Sequence, residues 1–337
     1  MSEDAPCQAT EAAADNPPPP QPKPPSALRG DVAAKAILLG LLDAIEANEA
    51  GVLLNEDAEC LHDFRIAVRR ARSALGQIKG VFPERERRRF APRLAWLGKI
   101  TSEPRDFDVY LLGFDELKAG LPAPFQDQLE PLRGCLACHG GLAHAELARH
   151  LKSLRYRKLL ADWRRFLAAP CPGRPSAPCA LTPVQAIADA RIWKLFRRVL
   201  KQGRAIRPGT PAENLHELRK SCKKLRYLLE FFRALYPPDE IGRPIKQLKK
   251  LQDYLGDFQD VHARIDMLGR LGHEMRADAQ VPTEALLAMG MLLAVLEGRQ
   301  WALREAFPAR FEDFASAGNR ARFRRLFKPA PGEGEGG

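Results

Sequence analysis

The chain has 337 residues, with 53 Lys and Arg against 42 Asp and Glu, a formal net charge of +11 at pH 7. That length admits two ordinary domains or one large one. The cation excess points to polyanionic partners (nucleic acid, polyphosphate or an acidic membrane surface) and, taken alone, does not choose among them.

The first 29 residues are acidic and Pro-rich, from Pro17 to Pro25, and are expected to form a disordered, extended arm. They hold no apolar stretch of the kind that opens an export signal. No apolar run of about 18 residues occurs anywhere, so no helix is expected to span a membrane. Seven scattered cysteines fit reduced thiols in the cytoplasm, and abundant Ala, Leu, Arg and Pro fits a bacterial chain. Helical periodicity begins at Asp31, expected as an N-cap, and Ala36, Ile37, Leu38, Leu41, Leu42 and Ile45 make a first amphipathic helix. A second helix, capped by Asn55 or Asp57, is expected to run to about Gly80, and Pro83 closes the turn. Further helices are expected at 85–102, 105–119, 123–150 and 152–168. The Pro- and Gly-dense stretch 169–181 reads as a linker. Thr182-Pro183 then opens a second half, as an N-cap followed by Pro at the first helical position. Its helices are expected at 184–204, 211–235, 239–256, 258–278, 282–306 and 308–327, with 329–337 as a flexible tail. Alternating β-branched segments are nearly absent, so the fold class is all-α.

The two halves carry a repeat. Leu61–Arg72 aligns without a gap with Leu215–Arg226, 154 residues later. His62 matches His216, Arg65 matches Arg219, Arg69 matches Lys223, Arg70 matches Lys224 and Arg72 matches Arg226. Pro83 and Pro237, Leu94 and Leu248, Leu97 and Leu251, and Asp106 and Asp260 keep the same offset. At about 100° per residue, His62, Arg65, Arg69 and Arg72 fall on one side of a helix, beside an apolar stripe of Leu61, Phe64, Val68, Ala71 and Leu75. The second copy repeats this with Leu215, Leu218, Cys222, Leu225 and Leu229. Cations at i, i+3, i+7 and i+10 repel one another on an isolated helix. A bound polyanion would offset that repulsion. Packing alone does not require a histidine and four cations at one register twice. The repeat therefore suggests two similar helical bundles about a pseudo-twofold, bringing two anion-binding helices to one basic groove.

These residues resemble the CHAD domain, the conserved-histidine α-helical domain. The resemblance is carried by 61–75, by 94–109 with Arg105-Asp106-Phe107-Asp108-Val109, by 154–160, by 215–227 and by 248–260, and covers roughly residues 31–327. It implies one CHAD-type domain over 30–328, with a first bundle over 30–168, the linker 169–181 and a second bundle over 182–328. It further implies a module that binds inorganic polyphosphate in the cytoplasm, often on polyphosphate granules, and not a catalyst. Carried over by position, the anion contacts are His62, Arg65, Arg69 and Arg72 with His216, Arg219, Lys223 and Arg226. Arg70, Lys220 and Lys224 stand further round their helices, and Arg155 and Arg157 are additional candidates. CHAD domains often follow a strand-built, triphosphate-processing tunnel domain, which this chain lacks. It also has Ile100-Thr101-Ser102-Glu103-Pro104 where the family usually has a Leu-Gly pair.

Other constellations are weaker. Cys135, Cys138 and His139 match a haem-attachment spacing and, with His144, a zinc set, but small residues packing in a Gly-containing helix explain them better. No Gly-rich phosphate loop, Ser/His/Asp arrangement or metal-ligand helix appears, so no catalytic residue, metal or cofactor is expected. Asp106, Asp108, Asp257 and Asp260 are read as helix caps or partners of Arg. A metal-dependent phosphohydrolase is thus the third reading. Non-specific nucleic-acid binding is the second, disfavoured because Phe64, Tyr227, Phe231 and Phe232 sit at core spacing rather than as stacking platforms.

Overall fold

A computed structural model describes residues 27–55, 57–207, 209–277 and 281–329. Most of the Pro-rich arm and nearly all of the tail lie outside the described residues. Among the described residues the fold is all-α, with no strand beyond an isolated bridge between Arg29 and Pro183. That bridge, with Val184 N–H donating to Leu28 O (2.8 Å), moves the start of ordered backbone ahead of the expected boundary at 29.

Helix α1 (Gly30–Leu54) starts one residue before Asp31. Asp31 therefore lies in the first turn, where its carboxylate accepts from Val32 N–H and pairs with Arg29. Asn55 ends α1 in the left-handed region (φ 52°), and Asp57 caps α2 (Ala58–Gln77) by accepting from Glu59 N–H. The two cap candidates thus serve two different helices. The expected stripes are buried on both copies: Leu61, Phe64, Val68, Ala71 and Leu75 on α2, and Leu215, Leu218, Cys222, Leu225 and Leu229 on α10 (Ala212–Phe231).

After α3 (Glu84–Ile100) the chain breaks at Thr101 and restarts as α4 (Ser102–Leu112). Pro104 has no N–H to give Ile100, and its ring clashes with that carbonyl. At the 154 offset Pro104 becomes Phe258, and there α11 (Pro238–Ala277) runs through unbroken, merging two expected helices. Gly113 separates α4 from α5 (Phe114–Ala119). The expected helix 123–150 is divided into α6 (Ala123–Gln126), a 3₁₀ turn and α7 (Glu130–Leu151), the last restarting beside Pro131. Then come α8 (Leu154–Ala168) and α9 (Val184–Ala205). Helix α12 (Thr283–Phe314) carries Pro308 inside it, and the break falls instead at Ala315, before α13 (Ala317–Phe327). Burial of Phe307, Phe311 and Phe314 holds that helix together across the proline.

Two apolar cores hold these elements, and both cross the repeat boundary. The larger joins Leu38, Phe64, Phe90 and Trp163 of the first half to Phe196, Leu225, Leu248 and Phe323 of the second. The smaller joins Phe107, Phe114, Leu132 and Leu136 to Leu268, Leu271, Leu292 and Leu296. The segment 169–181 is tied down: Cys179 N–H donates to Gly80 O (2.8 Å), and Ala180 O accepts from Asp31 N–H. Gly80 has φ 76°, a conformation suited to glycine. One segment is long and apolar enough to cross a membrane by length and composition alone. It lies in α12, with a mean hydropathy of 1.3 over 18 residues. The uninterrupted apolar run between Glu284 and Glu297 is shorter, which hid it from the sequence reading. Its Ala288, Met289, Leu292 and Leu296 pack into the smaller core.

Candidate polyanion-binding surface

Helices α2 and α10 pack against each other and bring cations of both copies together. Arg69 Nε donates to the hydroxyl of Tyr227 on α10, and its guanidinium lies 5.9 Å from that ring. Arg69 also stands close enough to Arg219 for their charges to repel. On α2, Arg65 feels the like charges of Arg69, Arg105 and Arg72. The cluster therefore holds Arg65, Arg69, Arg72 and Arg105 from one half and Arg219 from the other.

Each copy is held by later helices of its own half, α3 and α4 for α2 and α11 for α10, through the same pairs of positions. His62 Nδ1 lies 3.2 Å from Arg105 Nη2, and His216 Nδ1 lies 2.5 Å from Gln259 Oε1. Residues 105 and 259 are 154 apart. Arg65 faces Asp106, and Arg219 lies 3.9 Å from Asp260, again at that offset. Arg72 packs over Gly98, whereas Arg226 donates to Gln252 Oε1 (3.4 Å), the residue at the corresponding position. Burial pushes the pKa of Arg65 and of Arg219 down, partly countered by the aspartate beside each. Burial pushes Asp106 up, with Arg65 pulling it back. These arginines are packed on their stems and partly desolvated, which strengthens their interaction with any anion that reaches them.

Not every expected cation is equally available. Arg70 pairs with Glu230 (3.2 Å) and lies over Phe231, and Arg226 pairs with the same Glu230 (2.6 Å). Both therefore already have a carboxylate. Lys220 is exposed and pairs with Glu217 (2.8 Å). Lys224 is half-buried toward α9, and burial and the nearby Arg198 lower its pKa. Lys223 is half-buried on α10. Arg155 lies over the Trp96 ring (4.1 Å) and Arg157 is exposed. Neither makes a hydrogen bond or ion pair with α2 or α10 among the described residues. The sequence reading missed Arg105, Gln259, Tyr227 and Glu230. Only the 105/259 pair had a signal, a shared offset hidden by unlike chemistry.

The metal-ligand candidates do not assemble. His144 turns to Asp108 (2.7 Å), and His139 to Glu274 (3.2 Å) and to Cys135 O, so the Cys135/Cys138/His139/His144 set does not converge. Asp106, Asp108, Asp257 and Asp260 form no ligand cluster among the described residues. The group of ligand atoms there lying within 4.8 Å of one another is Glu59, His62 and Asp63. The Arg105 guanidinium already stands 4.0 Å from Glu59 and beside His62. Phe64, Tyr227 and Phe232 are buried, so they offer no stacking face.

A family model, the CHAD domain, matches residues 36–269. The chain belongs to the CHAD domain family. The crystal structure of the CHAD domain from the plant Ricinus communis is similar, with a TM-score of 0.69 and 26% identity over 85% of this chain and 93% of that one. PptA from Streptomyces chartreusis is similar in fold, with a TM-score of 0.62 and 17% identity over 84% of this chain and 99% of that one. No curated protein sequence matches this CHAD domain chain.

Proposed function

We propose that this CHAD domain binds inorganic polyphosphate along the surface formed by α2 and α10, without catalysing its hydrolysis. The observation that carries this reading is the convergence of Arg69 and Arg219, from opposite halves, within one cluster of partly desolvated arginines. The contacts are His62, Arg65, Arg69 and Arg72 with His216, Arg219, Lys223 and Arg226; Arg70, Lys220 and Lys224 lie at the margin. Guanidinium forks bind phosphate oxygens bidentately, and lysine adds point charge. Polyphosphate has about one charge per phosphate and no bases to read, so a dense cation cluster whose neighbouring rings are buried or, like Phe231, covered by Arg70 suits it better than nucleic acid. Family membership supports the reading, since CHAD domains are associated with polyphosphate-related proteins. On this reading the protein resides in the cytoplasm and gathers on polyphosphate granules. The test is binding of long-chain polyphosphate against double-stranded DNA of equal charge at about 150 mM salt, which weakens loose electrostatic contacts. Preference for polyphosphate, without phosphate release in Mg²⁺, is expected. Equal or tighter DNA binding would mean a generic polyanion surface.

A further inference from the structure

The basic surface does not end at α10. Helix α9 carries Lys194, Arg197, Lys201 and Arg204 at i, i+3, i+7 and i+10, the spacing of His62, Arg65, Arg69 and Arg72 on α2. Arg198 adds a fifth cation. All five are exposed, and none makes an ion pair among the described residues. Arg197, Lys201 and Arg204, with Leu200 and Ala205, line a shallow groove of about 520 Å³.

Several arginines on other helices are neutralised. On α3, Arg87 and Arg88 pair with Glu84, and Arg89 and Arg93 pair with Asp162. On α8, Arg164 pairs with Asp43 and Glu46 of α1. The contrast with α1 is sharper, because α1 and α9 occupy corresponding places at the 154 offset. Asp43, Glu46 and Glu49 of α1 become Arg197, Leu200 and Gly203. The one acid on α9, Asp189, accepts from Tyr236 and Gln185 instead. An unneutralised cation row of this spacing opposes its own helix unless an anion lies along it.

Continuity supplies the occupant. Lys220 and Lys224 stand about 40° and 80° past His216, on the flank away from Arg219. Lys224 lies close enough to Arg198 of α9 for their charges to repel, so the cations of α10 meet those of α9 there, beside Glu217, which pairs with Lys220.

We propose that α9 is a second polyphosphate track, over which a chain seated on α2 and α10 continues past Lys224 and Arg198 to Arg197, Lys201 and Arg204. This rests on the polyphosphate reading above. The track spans about 15 Å of helix, from Lys194 to Arg204. Long chains would engage both surfaces and short ones only the first, a gain through multivalency.

The test uses the full chain with Arg197→Ala, Lys201→Ala and Arg204→Ala combined, all exposed positions outside the core. Affinities for short and long polyphosphate, of about ten and about one hundred phosphates, are measured across a salt series. The expected result is about a tenfold loss for the long chain, a log–log salt slope shallower by about 2, and unchanged short-chain affinity. Unchanged long-chain affinity and slope would overturn the track, as would equal losses for both lengths. Arg65→Ala with Arg219→Ala serves as the comparison and should weaken both lengths. If the unaltered protein bound neither chain, the polyphosphate reading itself would fail and the track with it.

Discussion

Glu230 holds two of the expected anion contacts in reserve, so Glu230→Gln separates their structural and binding roles. Arg70 lies 3.2 Å from Glu230, with side chains 12% and 13% exposed. Arg226 lies 2.6 Å from it and is 16% exposed. Removing the carboxylate charge leaves two nearly buried cations against one neutral amide. Breaking a fully buried pair costs about 3–5 kcal/mol; the residual exposure here brings the expectation to about 2–4 kcal/mol. In a domain this large, 1 kcal/mol moves Tm by about 2 °C, so Tm should fall by about 4–8 °C. Polyphosphate should then stabilise the variant more than the unaltered protein, because its phosphates replace the missing carboxylate. Each tenfold gain in affinity adds about 1.4 kcal/mol, or about 3 °C of ligand-induced shift. Thermal melts with and without polyphosphate at one concentration read both effects. A Tm within a degree or so of the original would refute the buried-pair argument. An equal ligand-induced shift in both proteins would show that Arg70 and Arg226 do not reach the anion.

Arg65→Ala with Arg219→Ala should weaken polyphosphate binding by about tenfold or more, since each removes a charge-assisted contact, while circular dichroism stays helical. Unchanged affinity would remove the α2–α10 site. Tyr227→Phe deletes the hydroxyl that holds Arg69 and should lower affinity by about threefold and stability by about 1 kcal/mol, read by titration and urea melts. No change in affinity would mean that Arg69 needs no such support.

The helix faces were legible in sequence because burial obeys the 3.6-residue period, and the residues of both apolar stripes are buried where the period puts them. Breaks were less legible, because local signals compete with packing. A break was expected at 257, yet Leu255 and Phe258 are buried on either side of it and α11 continues. A break was expected at 307, yet the phenylalanines around Pro308 carry α12 onward. Pro104 did interrupt its helix, as the missing N–H requires. The cations of the site were legible through duplication. Their supports were not, because Arg105 and Gln259 reach α2 and α10 from the helices α4 and α11, Tyr227 and Glu230 reach from α10 across to α2, and these residues share no chemical type across the repeat.

That unlike chemistry sets the two histidines apart. Arg105 has only N–H donors, so His62 Nδ1 accepts from it and, in the neutral ring, the proton sits on Nε2. Gln259 presents Oε1, so His216 Nδ1 donates to it. In the neutral ring this leaves Nε2 of His216 as a lone pair facing any anion, which repels it. Only a protonated His216 donates from both nitrogens. Polyphosphate affinity should therefore depend unequally on the two rings, with His62→Ala costing about tenfold and His216→Ala costing less. An equal loss in both variants, measured by titration at matched ionic strength, would show that the partners at 105 and 259 do not set the donors.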